Sequence, residues 1–221
     1  GGPLANFLLA LVIFFSIYTF VGKDFTPAVI NEVQKDSPAM AGGLKQSDII
    51  LEIDGNKVES IMDVSKFITM STADVIDFKV KRSYDELLLK IKPNVILSED
   101  NLGNKINKRI VGIKLGAYNN EINHVKLGPA QAIYHAVNEV YYVSISSLKY
   151  VAGMIMGKAD TSQLGGPIRI AKISGQVAEF GILAFISMMA YISISLGLVN
   201  LFPIPMLDGG HLMLYAFEKI L

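Results

Sequence analysis

Asn200-Leu201-Phe202-Pro203-Ile204-Pro205-Met206-Leu207-Asp208-Gly209-Gly210-His211 closes a long apolar stretch and breaks the rules of a plain membrane helix. Two prolines remove backbone donors and forbid a regular helix, and two glycines let the chain turn tightly, so non-helical backbone is placed at membrane depth. Such backbone is tolerated only where protein or a water-filled cavity surrounds it. Asp208 then follows 28 uncharged residues, 180–207. A carboxylate at that depth costs about 3 kcal/mol unless it is paired or bound to a cation, which makes it a functional-site candidate by default. The competing reading places Asp208 just outside the bilayer, where its carboxylate caps the next helix.

Working outward, the apolar run Gly181–Leu201 has the length of about 20 residues that spans a hydrocarbon core as a helix, and Leu4–Val21 matches it at the other end of the chain. Residues 1–22 carry no charge, and nearly all charges fall between Lys23 and Glu179. The chain is therefore oil, water and oil. Its 221 residues are 51% hydrophobic and only 18% charged, with a mean hydropathy of +0.41; this is too oily for an ordinary soluble domain and too poor in charge for a disordered one. Twenty basic residues cancel twenty acidic ones, so the basic excess that binding nucleic-acid phosphates requires is missing, and nucleic acid is excluded as a partner. The absence of cysteine excludes disulfides, thiolate metal sites and thiol nucleophiles. The first apolar run has no Met start, no basic leading region and no small-residue cleavage site, so it reads as a span rather than a signal peptide, and a chain opening Gly1-Gly2-Pro3 reads as a piece of a longer protein.

In the polar middle, Ala28–Val33 and Asp48–Ile53 read as strands, the second closed by the turn Asp54-Gly55-Asn56. Ser60 followed by Asp63 forms a capping-box-like start for a short helix that buries Val64, Phe67 and Ile68. Alternation then predicts two strands, with Ile76, Phe78 and Val80 on one face of the first and Leu87, Leu89 and Ile91 on one face of the second, joined as a hairpin at Arg82–Glu86. After Pro93 a polar loop, 98–108, leads to a further alternating segment, Val111, Ile113 and Leu115, that extends the same sheet. Gly128-Pro129 opens a helical pattern, 130–157, amphipathic at its start and greasy at its end; it fits a helix lying along the membrane surface better than one crossing it, although Tyr141–Met156 offers a third span.

The order of strand, Ser37-Pro38-Ala39, Gly42-Gly43-Leu44, Ser47-Asp48-Ile49-Ile50, Asp54-Gly55 and helix resembles a bacterial protease-associated PDZ domain, covering residues 26–93. Such a domain captures an extended peptide on a sheet edge. Where the family shows Ala-Gly-Leu and Gly-Asp, this chain has Gly42-Gly43-Leu44 and Ser47-Asp48. The run Asn200–His211 in turn resembles the Asn-x-x-Pro-x-Pro-x-Leu-Asp-Gly-Gly-His signature of site-2 intramembrane zinc metalloproteases of the bacterial regulator-of-sigma-E type. Gly2-Pro3-Leu4-Ala5-Asn6-Phe7 and Leu164-Gly165-Gly166-Pro167-Ile168 resemble two further segments of that family.

The expected architecture is an α+β membrane protein: a transmembrane helix over 1–22, a PDZ-like domain over 26–93, a strand-rich connector over 94–127, an amphipathic membrane-associated helix over 128–157, and a transmembrane helix with the signature over 180–221. The resemblance implies zinc bound by two His of a His-Glu-x-x-His helix and by the Asp of Leu-Asp-Gly, with the Glu as general base. Carried onto this chain, Asp208 is the metal ligand, and Asn200, Pro203 and Pro205 form an unwound segment that offers backbone to an extended substrate. The histidines are His124, His135 and His211, none in a His-Glu-x-x-His; that motif is expected upstream of Gly1, so no catalytic residue is assigned here and the chain alone is expected to be inactive. His211 is expected to pack beside the site, and His124 and His135 to be solvated or interfacial. The implied partners are the bilayer, a transmembrane protein substrate such as an anti-sigma factor, and a peptide at the PDZ-like domain. The implied location is the inner membrane, multi-pass, with that domain on the extracytoplasmic side. The alternative is a noncatalytic PDZ-bearing membrane adaptor.

Overall fold

The computed structural model describes residues 2–99, 105–117, 122–156, 173–175, 177–179 and 181–202. The chain divides into two units: residues 24–125 with 149–165, and residues 1–23 with 126–148 and 166–221. The first holds most of the polar middle, and the second joins both apolar ends to residues 126–148 from between them.

In the first unit, an antiparallel sheet forms from β2 (Ala28–Val33), β3 (Ile49–Ile53), β4 (Asn56–Lys57), β5 (Ile76–Arg82), β6 (Asp85–Ile91) and β9 (Ile113–Ala117). The strands lie in the order β6-β5-β3-β2-β9, with β4 folded back on β3. The Asp54-Gly55 turn works because both residues take positive φ, 49° and 75°, which matches the right-handed twist of the flanking strands. The hairpin pairs Arg82 with Asp85 and Ile76 with Ile91. Its inward face, Ile76, Phe78 and Val80, is fully buried as the alternation predicts. The segment expected to extend the sheet does so as β9, antiparallel to β2 from Ala28↔Ala117 to Val33↔Ile113; the sheet thus continues past residue 93. A separate ribbon joins β7 (Asn94–Glu99) to β8 (Lys105–Ile110). Two short strands, β1 (Lys23–Asp24) and β10 (His124–Val125), pair where the chain enters and leaves this unit.

Two helices cover the sheet. In α2 (Pro38–Ala41), Ser37 Oγ accepts from the Met40 N–H and Pro38 opens the first turn. In α3 (Ile61–Met70) the predicted capping box is complete: Ser60 Oγ accepts from the Asp63 N–H, and Asp63 Oδ2 accepts from the Ser60 N–H at 3.0 Å. Its inward face is Val64, Phe67 and Ile68.

In the other unit, α1 (Gly2–Ser16) runs on through a π-helical turn, Ile17–Val21, and α5 (Ile182–Leu201) packs against it. Both are long and apolar enough to cross a membrane. Between them in sequence lies α4 (Pro129–Ile155), 27 residues over the region expected to be an amphipathic helix. Ala136 and Val143 of α4 join Ala10, Phe14, Ala190, Ile194 and Leu198 in one buried cluster. Small side chains at three of those positions, Ala10, Ala136 and Ala190, let helix backbones approach closely.

Candidate functional site

The site begins where α5 ends. The helix stays regular to Leu201, and Phe202 turns to φ −64° and ψ 142°, with its N–H bonded to the Val199 carbonyl. Extended backbone at Phe202 is what the ring of Pro203 demands of the residue before it. Asn200 therefore sits half-buried on the last turn of α5, directly before the chain leaves the helix. Pro203, Pro205, Asp208, His211 and the 164–168 segment lie outside the described residues.

The neighbour of this helix end is the start of α1. The two helices run antiparallel, since Tyr191 meets Phe14 edge-on at 5.3 Å while Gly197, farther along α5, lies against Phe7 and Pro3. Gly197 is buried, and a Cβ placed on it would stand 3.2 Å from the Phe7 ring and 3.3 Å from the Pro3 carbonyl oxygen. One turn earlier, buried Ser193 donates its Oγ–H to the Asn6 carbonyl at 2.8 Å. Two segments 187 residues apart, the Gly2–Phe7 run and the helix leading into Asn200, are thus brought side by side. Sequence reasoning passed over Ser193 and Gly197. Their signal was present, as a small-x-x-x-small pair on an apolar helix.

The described histidines have other surroundings. His135, on α4, places Nδ1 3.4 Å from Lys23 Nζ and packs edge-on against Tyr18 and Tyr134. His124 is exposed on β10. Among the described residues no group of three His, Cys, Asp or Glu side chains could hold a metal ion. The described residues thus do not fit a zinc site by themselves.

A second site candidate lies in the 24–125 unit. Strand β9 forms the margin of the sheet, hydrogen-bonded to β2 on one side, and α3 packs over β2, β3 and β9. A sheet margin beside a helix is the arrangement that accepts an added peptide strand. Gly112 leads into β9 with φ +82°, and a Cβ there would lie 2.4 Å from Ser37 Cβ, so only glycine fits the approach. Arg109, at the end of β8, donates to the carbonyl of Ser71, the C-cap of α3, at 2.8 Å and to the Ala73 carbonyl in the turn that follows. Burial pushes the Arg109 guanidinium below its ordinary value, opposed by Asp54 and Asp74. Across the sheet, fully buried Asp48 accepts from Arg82 Nε at 2.7 Å, Arg82 Nη2 at 2.8 Å and the Lys45 N–H at 2.9 Å. The hydrogen bond to Asp48 raises Arg82 above its ordinary value.

The model of Peptidase family M50 matches residues 1–221. Atu1380 of Agrobacterium fabrum, named by inference a zinc metalloprotease, is 37% identical over 220 residues, covering 100% of this chain and 58% of the relative. Zinc metalloprotease RasP of Geobacillus kaustophilus is 31% identical over 221 residues, covering 100% of this chain and 49% of RasP. The chain thus spans 58% of the length of the Agrobacterium relative and 49% of RasP. Among solved structures, the PDZ domain of an SdrC-like protein from Listeria monocytogenes is 27% identical over 41% of this chain and 88% of that one, with a TM-score of 0.33. The family match runs without a break through the Gly2–Phe7 run, the helix end at Asn200 and the Asp208 motif, and the chain accordingly belongs to Peptidase family M50, the site-2 protease family.

Proposed function

We propose that this chain is part of a membrane-embedded zinc metalloendopeptidase that cleaves transmembrane protein substrates within or beside the bilayer. The observation that carries this reading is the abrupt end of α5 at Phe202, beside the start of α1, on a chain whose whole length matches the family. A protease must meet its substrate as an extended strand, and Asn200, on the last turn of α5, leads directly into Pro203 and Pro205, whose rings cannot continue the helix; this stretch offers backbone to the substrate. Asp208 contributes one ligand to a zinc ion whose other ligands and general base come from a His-Glu-x-x-His helix of the parent protein. When bound, that metal supplies an activated water at neutral pH. The sheet margin at β9 holds an extended peptide and screens substrates, on the extracytoplasmic side of a multi-pass inner-membrane protein. An anti-sigma factor with a single membrane span is a substrate of the right kind.

The test is Asp208→Asn in the longer parent protein, reconstituted in vesicles with a single-span protein substrate. Asn keeps the size and one carbonyl oxygen while removing the negative charge that helps bind a dication, so cleavage collapses while insertion and abundance hold. Asp85→Asn, in the exposed turn of the β5–β6 hairpin, leaves cleavage intact. Near-normal cleavage by the Asp208→Asn protein would refute the ligand assignment, with Asp208 capping a helix instead, whereas no cleavage by the unaltered parent would refute the protease reading and favour the noncatalytic adaptor.

A further inference from the structure

Beyond the ligand assignment, we infer that Gly197 and Ser193 are positioning residues: their contacts with Phe7, Pro3 and Asn6 fix the register of α5 along α1 and thereby place the helix end that carries Asn200. This inference rests on the proposed protease function and adds to it the part of the fold that aims the site.

Gly197 precedes Asn200 by less than one helical turn, and α5 is regular from Gly197 to Leu201, so a shift at Gly197 passes to the helix end without damping. The contact at Gly197 leaves no slack. The space a methyl group would need is bounded on one side by the Phe7 ring at 3.2 Å and on the other by the Pro3 backbone oxygen at 3.3 Å. The ring can give by a few tenths of an ångström, whereas the backbone of the first turn of α1 moves only if the helix moves. Ser193 supplies the polar half of the same lock, because its hydroxyl is buried and its partner, the Asn6 carbonyl, belongs to the α1 backbone rather than to a mobile side chain. Close approach at a glycine and one interhelical hydrogen bond one turn away together fix both separation and axial offset. Neither residue touches substrate in this account; each acts through the position of the helix end.

The experiment measures kcat and KM of the parent protein on a single-span protein with a tag at each end. Gly197→Leu forces the helices apart, and a displacement near 1 Å at a reacting centre lowers kcat by about 100-fold, with KM kept within about twofold. Gly197→Ala lowers kcat less, by about tenfold at most. The diagnostic result is compensation: adding Phe7→Ala to Gly197→Leu restores at least about tenfold of the lost kcat, which a general loss of stability would not do. Ser193→Ala lowers kcat a few-fold and Ser193→Thr restores it. The inference is overturned if Gly197→Leu inserts normally and keeps wild-type kcat, or if Phe7→Ala brings no recovery. Should Gly197→Leu fail to accumulate, Gly197→Ala and Ser193→Ala decide alone, and unchanged kcat in both overturns it. The unaltered parent and Asp208→Asn run in parallel separate the two readings: no cleavage by the unaltered parent refutes the protease assignment, while loss of activity in Asp208→Asn alongside an indifferent Gly197→Leu refutes only the register.

Discussion

Asp48→Ala is the sharpest test of what holds the 24–125 unit together. Asp48 is completely buried between β2 and β3, and its carboxylate accepts three hydrogen bonds, two from Arg82 and one from the Lys45 N–H. Removing one partner of a buried pair costs about 3–5 kcal/mol, because the other charge is left without compensation. Arg82 is not fully enclosed, with 28% of its side chain exposed, and it keeps a bond to the Gly43 carbonyl at 2.7 Å. Water can therefore reach the stranded guanidinium, which puts the loss at the lower end, about 3 kcal/mol. With a urea slope near 1.5 kcal/mol/M for a domain of this size, the midpoint falls by about 2 M. The assay is equilibrium urea unfolding of the 24–125 segment, followed by far-UV circular dichroism and by tyrosine fluorescence, since the chain has no tryptophan. Asp48→Ala combined with Arg82→Met loses less than the sum of the single losses, because the double variant strands no charge. A midpoint shift below about 0.5 M for Asp48→Ala, or strict additivity in the cycle, would refute the reasoning and show the pair to be solvated.

Three further outcomes are expected. The 24–125 segment unfolds cooperatively in urea, whereas the shorter 26–93 segment has a lower midpoint and poorer amide dispersion, because it lacks the β9 strand paired to β2 from Ala28 to Val33. Gly112→Ala destabilises the same segment by about 2 kcal/mol in thermal or urea unfolding, since the residue combines φ +82° with a Cβ position 2.4 Å from Ser37 Cβ. Calorimetric titration of the 221-residue chain with zinc gives no stoichiometric tight site, because one carboxylate falls short of the three protein ligands a catalytic zinc requires; a submicromolar site would refute the ligand assignment.

The elements legible in the sequence share one property: their causes lie within a few residues. Ser60 and Asp63 cap α3 because their side chains reach each other's backbone across three positions. Phe78 and its neighbours alternate because a strand turns its side chains every second residue. The end of α5 before Pro203 follows from the proline ring alone. Charge-free termini around a charged middle fall largely into separate units because apolar side chains pack with one another while charged ones stay with water. What the sequence could not show is which distant pieces meet. That β9 docks beside β2 rather than beside β6, that Arg109 reaches the carbonyls at the end of α3, and that Ser193 bonds to Asn6 across 187 residues all depend on contacts whose loops the local pattern does not constrain. Such contacts form only when the apolar faces of whole elements have found each other, and only then does a glycine such as Gly197 acquire its reason, as the one side chain small enough for the ring and the backbone oxygen that the fold presses against it.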